Sequence, residues 1–234
     1  MWYHINVADQ FDNSVYVELI SAEKRSTSSN LMEWLYSSFI RKLFFIINEI
    51  EIVTCKGIIM RIRKTIEEDF ERVMEIYAYA REFMARTGNP NQWGPTNWPP
   101  EELIRKDIKE GNGYVCVNEE GKVIGTFYFI QGKDIEPTYH IIEDGAWIDG
   151  GSYGVVHRLA SDGSEKGIGR YCLDWAYEQC GHLRVDTHTD NKVMQNILAK
   201  LGFVKCGIIH VVEDNYPRYA YEKTGDYLDK FTGQ

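Results

Sequence analysis

The sequence predicts an α/β domain with a mixed sheet, and three observations lead to that fold class. Runs typical of strands and of helices alternate from about residue 60 to about residue 225, a pattern in which helices cover the faces of a sheet. Residues 114–132 have the form of an antiparallel hairpin around Glu119, Glu120 and Gly121. The hydrophobic share of 44% and the charged share of 26% are ordinary for a globular protein.

The domain begins with a short strand and a helix after Met60. RIRKTIEEDFERVMEIYAYAREF gives a short strand and then a helix, and Thr65 and Glu68 have the spacing of a capping box. Apolar residues then recur at helical spacing: Ile66, Phe70, Val73, Tyr77, Ala80 and Met84. Residues 101–111 predict a second, short helix that Gly111 ends.

A proline-rich segment separates these two helices. Four of the six prolines lie in NPNQWGPTNWPP, residues 89–100, so a helix cannot run through it. Trp93 and Trp98 add two large rings. The segment is either a loop whose rings plug the domain surface or a lid that faces a substrate, and the sequence leaves both interpretations open.

The second half of the domain continues the alternation after the hairpin. Residues 134–152 follow no clear period. Strands are predicted at YGVVHRLAS (153–161), LRVDTH (183–188), CGIIHV (206–211) and RYAYEK (218–223). Helices are predicted at GIGRYCLDWAYEQC (167–180) and at NKVMQNILAKLG (191–202), where Gly202 takes the usual position after a helix end.

Three segments are expected along the chain: an N-terminal extension at 1–59, the domain at 60–225 and a C-terminal tail at 226–234. The status of residues 1–59 is open, because Met60 resembles a second translation start. Either these residues belong to the native protein, or they are a translated upstream extension. Mass spectrometry of the native N-terminus distinguishes the two, since an intact Met1 terminus would defeat the second.

Composition argues against several functional classes. The formal net charge is −9 and no long basic run occurs, so nucleic acid is not expected as a partner. The five cysteines are odd in number and form no CxxC pair, so neither a disulfide framework nor a zinc site is indicated. Residues 39–53, the most apolar early run, are too short and too charged to span a bilayer. With no visible secretory signal, a cytoplasmic protein without a membrane partner is expected.

A glycine-rich turn between a strand and a helix is the most informative feature of the chain. Gly163, Gly167 and Gly169 lack Cβ atoms where a diphosphate must approach the main chain, next to the free N–H groups of a helix start. A Walker loop is excluded because Ile168 follows Gly167, and a dinucleotide GxGxxG would need glycine where Cys172 stands. The turn predicts a pyrophosphate site; a plain connection between the two elements is the alternative.

The wider pattern around this turn carries a family resemblance. SEKGIGR (164–170), DTHTDN (186–191) and KLGF (200–203) together resemble the GCN5-related N-acetyltransferase (GNAT) superfamily from residue 60 to about 223. GNPNQW (88–93), HRLAS (157–161) and RYAY (218–221) are similar to a bacterial subgroup of that family. The resemblance implies a central, mostly antiparallel sheet whose parallel strands splay apart, flanked by helices.

The resemblance implies acetyl-CoA as co-substrate. Backbone amides of the turn would hold its pyrophosphate, the strand at 159–161 would pair with its pantetheine arm, and Asn191 would hydrogen-bond the arm from the other side. The implied cofactor-binding residues are Leu159, Ala160, Ser161, Gly163, Lys166, Gly167, Ile168, Gly169, Arg170 and Asn191. One departure is Ser164, which stands where the family usually places Arg or Gln.

The implied reaction is direct attack of an amine on the acetyl thioester in a ternary complex. It needs a base, an oxyanion donor, for which a backbone N–H of the strand at 159–161 is expected, and a leaving thiol. His157 is the predicted base, because an imidazole titrates near neutral pH; a structural histidine is the alternative, and Glu143 and Asp149 are weaker candidates. The family's tyrosine acid is replaced by Leu198, which cannot donate a proton.

Two further sets of residues remain open as site candidates. Tyr219 is the predicted substitute acid, with Tyr221 beside it, although either residue can equally be ordinary strand packing. Asp186, His188 and Asp190 alternate as metal ligands on a strand do. The entry into a GNAT helix explains them better, and no metal is predicted.

The sequence thus predicts an N-acetyltransferase that acts on a primary amine of a small molecule or a peptide. Ser164 and Leu198 motivate a different class, a catalytically degenerate CoA-binding regulatory module. A nucleotide-binding protein unrelated to acyl transfer is the third alternative. The acceptor and the oligomeric state are left open by the sequence, a homodimer being one alternative.

Overall fold

The structure of the protein, a computed structural model, describes residues 60–212 and 216–225. The predictions for residues 1–59 and 226–234 lie outside these described residues. The strands are β1 (Arg61–Lys64), β2 (Gly113–Val117), β3 (Val123–Gly132), β4 (Tyr153–Ser161), β5 (His182–His188), β6 (Val204–His210) and β7 (Pro217–Thr224). The α-helices are α1 (Phe70–Arg86), α2 (Glu101–Glu110), α3 (Ile168–Cys180) and α4 (Lys192–Lys200), and short 3-10 turns span Glu67–Asp69 and Pro137–Tyr139.

The strands form one mixed sheet in the order β1-β2-β3-β4-β5-β7-β6. Neighbours are antiparallel except β4 and β5, which run parallel. The parallel pair is connected through α3, as a parallel pair must be connected by a crossover. The predicted mixed α/β fold, mostly antiparallel with one parallel pair, is confirmed.

The parallel strands β4 and β5 separate soon after they meet. Their ladder contains two pairs, Gly154 with Leu183 and Val155 with Arg184. Beyond these pairs the main-chain groups of β4 that face β5 have no ladder partner on that strand. The sheet therefore opens into a gap whose two walls are the ends of β4 and β5.

A bulge in β4 lies beside this gap. Thr126 pairs with Ala160 and Tyr128 with His157, so Phe127 of β3 faces both Arg158 and Leu159. Arg158 has a φ of 54°, in the left-handed region that residues other than glycine seldom adopt. The extra residue bends β4 at the point where it leaves β5.

Apolar side chains fill both faces of the sheet. Helices α3 and α4 pack on one face over a core that includes Cys116, Ile124, Phe127, Phe129, Val156, Leu173, Leu183, Val185, Leu198 and Tyr221. Helices α1 and α2 pack on the other face over Val115, Val117, Val123 and Ala160. A third cluster, beneath the segment before β4, joins Tyr139, Tyr153, Val155, Ile209 and Ala220. In the part of the chain that the structure covers, none of the helices has the length and apolar character of a membrane span.

The start of α1 differs from the predicted capping box. The amide N–H of Ile66 donates to Asp69 Oδ2 at 3.0 Å, while Thr65 Oγ1 has no partner among the described residues. Arg63 Nη2 holds the other carboxylate oxygen of Asp69 at 2.8 Å. Because Asp69 caps the chain, a 3-10 turn forms first and the helix begins at Phe70.

The core predicts a matched pair of stability effects. Ile124→Ala removes a side chain that is 0% exposed, so the free energy of unfolding should fall by about 2–5 kcal/mol. Ile141→Ala makes the same chemical change at a residue that is 74% exposed, and it should shift that free energy by no more than about 0.5 kcal/mol. Urea denaturation measures both, and equal effects would contradict the assigned core.

Candidate functional site

A cavity of about 230 Å³ lies where β4 and β5 separate. Val156 to Leu159 of β4 form one wall, and Val185 to Thr187 of β5 form the other. The start of α4, one side of α2, the proline-rich segment and single residues of other elements complete the lining. These residues are Asn191, Met194, Leu103, Lys106, Asp107, Glu110, Gln92, Trp93, Thr96, Trp98, Met84, Tyr128, Glu136, Thr138, Val211 and Arg218. The cavity therefore passes between side chains from both faces of the sheet.

His157, the predicted base, lies in this cavity between two carboxylates. Its Nε2 is 2.8 Å from Glu136 Oε2, and its Nδ1 is 3.5 Å from Asp186 Oδ2. Because an ionised carboxylate only accepts hydrogen bonds, Nε2 carries the hydrogen that Glu136 accepts. In the neutral imidazole this leaves the lone pair on Nδ1, so that nitrogen is the one able to take a proton.

Glu136 is fixed as an anion by its neighbours. Burial alone would raise the pKa of this carboxyl, but hydrogen bonds from His157 and Thr138 outweigh burial and lower the pKa to about 2. Thr138 donates from its Oγ1 at 2.7 Å and from its backbone N–H at 3.2 Å. The group beside the Nε2 of His157 is thus a carboxylate throughout the physiological pH range.

Asp186 is held from the opposite side by a buried tyrosine. The hydroxyl of Tyr139 donates to Asp186 Oδ2 at 2.8 Å. Burial and the nearby negative charge of Asp186 raise the pKa of Tyr139 well above its ordinary value, so Tyr139 stays a donor. Asp186, considered from the sequence only as part of a metal set, instead faces the imidazole.

Arg158 connects the bulge of β4 to α1, to α2 and to the neighbouring strand β3. Its Nη2 donates to Asp107 Oδ2 at 2.7 Å, and its guanidinium lies 4.5 Å from the ring centroid of Tyr128. Its carbonyl oxygen accepts from the hydroxyl of Tyr77 at 3.2 Å. These contacts hold the left-handed backbone of Arg158 in place beside His157.

The turn after β4 is pinned by its own side chains. Asp162 accepts from the N–H of Ser164 at 3.0 Å and pairs with Arg72 Nη2 at 2.5 Å. Gly163 has a φ of 72°, and a Cβ there would lie 2.2 Å from the hydroxyl of Tyr79. Ser164, the departure from the family pattern, therefore bonds to the turn itself.

The start of α3 has the features of an anion-binding site. Gly167 precedes the helix with a φ of 86°, no side chain caps it, and its first turn contains no acidic residue. A Cβ on Gly167 would meet no atom within 4 Å, so no described group packs beside this residue. The first N–H groups of a helix have no partner within it and attract negative charge, which is what a pyrophosphate requires.

The other predicted cofactor residues surround this turn without forming a set of side-chain ligands. Ala160 and Ile168 are buried, Ser161 is partly exposed, and Lys166 is exposed. Arg170 pairs with Asp174 at 3.2 Å on the outside of α3. A Cβ built on Gly169 would lie 3.6 Å from Ile197 and 3.9 Å from Leu159. Binding at this turn thus relies on the main chain, and the roles of these residues stay predictions.

Asn191 stands at the junction of α4 and the proline-rich segment. Its Oδ1 accepts from the N–H of Met194 at 3.0 Å, which caps α4, and its Nδ2 donates to Gln92 Oε1 at 3.0 Å. Asn89 donates to the same oxygen of Gln92 at 2.7 Å. The proline-rich segment thus reaches the cavity, and the predicted contact of Asn191 with a pantetheine arm stays a prediction.

Tyr219, which the sequence predicted as the acid, lies outside the cavity. It is on β7 opposite Thr187 and packs against the core beneath the ammonium of Lys205, 3.2 Å from its ring centroid. Tyr219 is not among the residues that line the cavity, and Leu198 is fully buried. The structure therefore does not bring Tyr219 together with His157: its ring packs against the core, whereas the preceding residue of β7, Arg218, lines the cavity. The acid role of Tyr219 stays a prediction without geometric support.

The weaker base candidates also lie outside the cavity lining. Glu143 pairs through its backbone with Ile208, and its Oε2 is 3.3 Å from His210 Nε2 on the surface. Asp149 lines a second, separate pocket beside Trp147 and Arg184. Neither carboxylate lines the cavity that contains His157.

Comparison with known proteins agrees with this architecture. No family model matches the chain, and no curated protein matches it in sequence. Among solved structures, an acetyltransferase of the GNAT family from Streptococcus agalactiae is 30% identical with a TM-score of 0.64, and the match covers 70% of this chain and 95% of that one. An acetyltransferase of the GNAT family from Listeria monocytogenes is 18% identical with a TM-score of 0.54, covering 73% and 98%. The second likeness shows the fold alone.

The environment of Glu136 predicts how stability changes with pH. Its pKa is lowered from 4.5 to about 2 in the fold, so its contribution to stability is present above the unfolded value and is lost as the pH falls towards about 2. Between about pH 6 and pH 3, the free energy of unfolding should therefore fall more steeply for the wild type than for Glu136→Gln. Urea denaturation measures both slopes. Glu143→Gln, at a side chain that is 58% exposed, should keep the wild-type slope, and an unchanged slope in Glu136→Gln would contradict the prediction.

Proposed function

The chain belongs to the GNAT family of acetyltransferases, and we propose that it transfers an acetyl group from acetyl-CoA to a primary amine of a small molecule or a peptide. The observation that supports this function best is an imidazole held between two carboxylates at the gap between β4 and β5. An amine acceptor is an ammonium at neutral pH, and it must lose a proton before it can act as a nucleophile. The cavity supplies a group suited to that step.

His157 is the general base in this proposal. The Nε2–H of His157 stays bonded to Glu136, so Nδ1 takes the proton of the acceptor ammonium. The imidazolium then lies between the anions of Glu136 and Asp186, which stabilise its charge. Glu136 and Asp186 are positioning residues, because they act through His157.

The donor end of the site is built from main chain. Acetyl-CoA, when bound, supplies an acyl group activated as a thioester. The first turn of α3 would hold its pyrophosphate, and the edge of β4 at 159–161, which β5 leaves without a ladder partner, would pair with its arm as an added strand does. A backbone N–H of the same edge is the proposed oxyanion donor.

A second candidate function is a CoA-binding regulatory module without turnover. Leu198 is fully buried and Tyr219 lies outside the cavity lining, so neither offers a proton to the leaving thiol. The two functions differ in one measurement, the release of free thiol from acetyl-CoA across a panel of amines. Release with at least one amine supports the enzyme, whereas tight CoA binding with no release supports the module.

The proposed pyrophosphate site at the start of α3 predicts that the same substitution affects CoA binding differently at the two ends of this helix. Gly167→Ala and Gly181→Ala both place a Cβ at a left-handed residue with no atom within 4 Å, so both incur a similar backbone cost of about 1–2 kcal/mol. Only Gly167 faces the proposed pyrophosphate. Calorimetric titration should show that the Kd for CoA rises by about tenfold or more in Gly167→Ala and stays near the wild-type value in Gly181→Ala. Equal affinities for CoA in the two variants would contradict the proposed pyrophosphate site.

The assignment of His157 as the general base predicts that its removal lowers turnover. His157→Ala should lower kcat by about 10²–10⁴-fold, the usual contribution of a general base, and should remove the acid limb of the pH profile in the thiol-release assay. His210→Ala is the matched control, since His210 also contacts a carboxylate at 3.3 Å but does not line the cavity. Unchanged turnover and an unchanged pH profile in His157→Ala would rule out this base.

A further inference from the structure

Thr187 contains a buried hydroxyl at the edge of the cavity. The residue lies on β5, lines the cavity and is 1% exposed. Its Oγ1 has no hydrogen-bond partner among the described residues. Buried hydroxyls nearly always have a partner, so one without a partner requires an explanation. A ligand that enters the cavity would supply the missing acceptor.

The register of the sheet places Thr187 at a particular depth in the gap. The last parallel pair is Val155 with Arg184, and three residues further along each strand are Arg158 and Thr187. The start of α3 follows the far end of β4, beyond Ser161. A donor anchored there and running back along β4 therefore brings its thiol end towards His157 and Thr187.

Other lining residues near Thr187 in the sheet and on α4 are apolar or already hydrogen-bonded; Asp186 accepts from Tyr139, and Arg218 donates to the carbonyl of Tyr216. Val185 and Met194, which line the cavity on the same side, are apolar. The side-chain amide of Asn191 is engaged with Met194 and Gln92. The hydroxyl of Thr187 can rotate to donate in the direction that a ligand requires.

We propose that the Thr187 hydroxyl binds the thiol end of CoA by donating a hydrogen bond to the sulfur. This inference rests on the proposed function, since it needs CoA in the cavity. A hydroxyl donates more strongly to a charged acceptor, so the contact strengthens when the sulfur is a thiolate. Thr187 would then favour the form in which the sulfur leaves the acetyl group.

Deleting the hydroxyl and deleting the sulfur in turn tests the contact. Calorimetric titrations of CoA and of desulfo-CoA, which lacks the thiol, are compared for the wild type, Thr187→Val and Thr187→Ser. In Thr187→Val the Kd for CoA should rise by about three- to tenfold, while the Kd for desulfo-CoA should not change. Thr187→Ser retains a hydroxyl and should bind both ligands as the wild type does. The loss in Thr187→Val should be larger at about pH 9 than at pH 7, because a free thiol ionises near pH 8.5.

Thr224→Val is the matched control. Thr224 is also a buried threonine on a strand whose Oγ1 lacks a partner among the described residues, but it does not line the cavity, so both affinities should stay at their wild-type values. An equal loss of affinity for CoA and desulfo-CoA in Thr187→Val, or no loss for either, would overturn the sulfur contact and leave the proposed function standing. A wild-type protein that binds neither ligand would overturn the proposed function itself.

Discussion

The separation of β4 from β5 is the constraint on which the rest of the structure depends. Two strands that pair for only two residues leave backbone groups without ladder partners, and a stable fold seldom leaves such groups buried and unsatisfied. Here the bulge at Arg158 bends β4 away, and Asp107 and Tyr77 hold the bent strand from the adjoining helices. Side chains of α1 and α2 thus hold the bent part of β4 where it leaves β5.

One short turn bonds to both carboxylates that flank the base. Glu136 precedes the turn Pro137–Tyr139 and caps it by accepting from Thr138, which aims its second oxygen at His157. The last residue of that turn, Tyr139, reaches across to Asp186. Because residues of this turn bond to both anions, the surroundings of the imidazole depend on a segment outside the two strands that carry His157 and Asp186.

The sequence predicted the parts of the site that local rules specify. Strand alternation placed His157 on β4, and the glycines predicted the turn at the start of α3. Both features depend on backbone conformation, which residues close in sequence determine. Glu136 was missed, since residues 134–152 follow no period that would signal which side chain turns inward. The misplaced capping box has a similar cause: the choice between Thr65 and Asp69 is decided by Arg63, a contact that spacing does not reveal.

The position of Tyr219 depends on topology that no local pattern contains. The last two strands follow each other in sequence, yet β7 enters the sheet between β5 and β6, so Tyr219 pairs with Thr187 of β5 instead of bordering the gap. Thr187, directly opposite Tyr219 on β5, is therefore the residue of that pair which lines the cavity. A hydroxyl on the strand that borders the gap can meet a ligand there, whereas one on the next strand packs against the core. Strand order thus separates these two hydroxyls, although Arg218, which is also on β7, reaches the cavity lining.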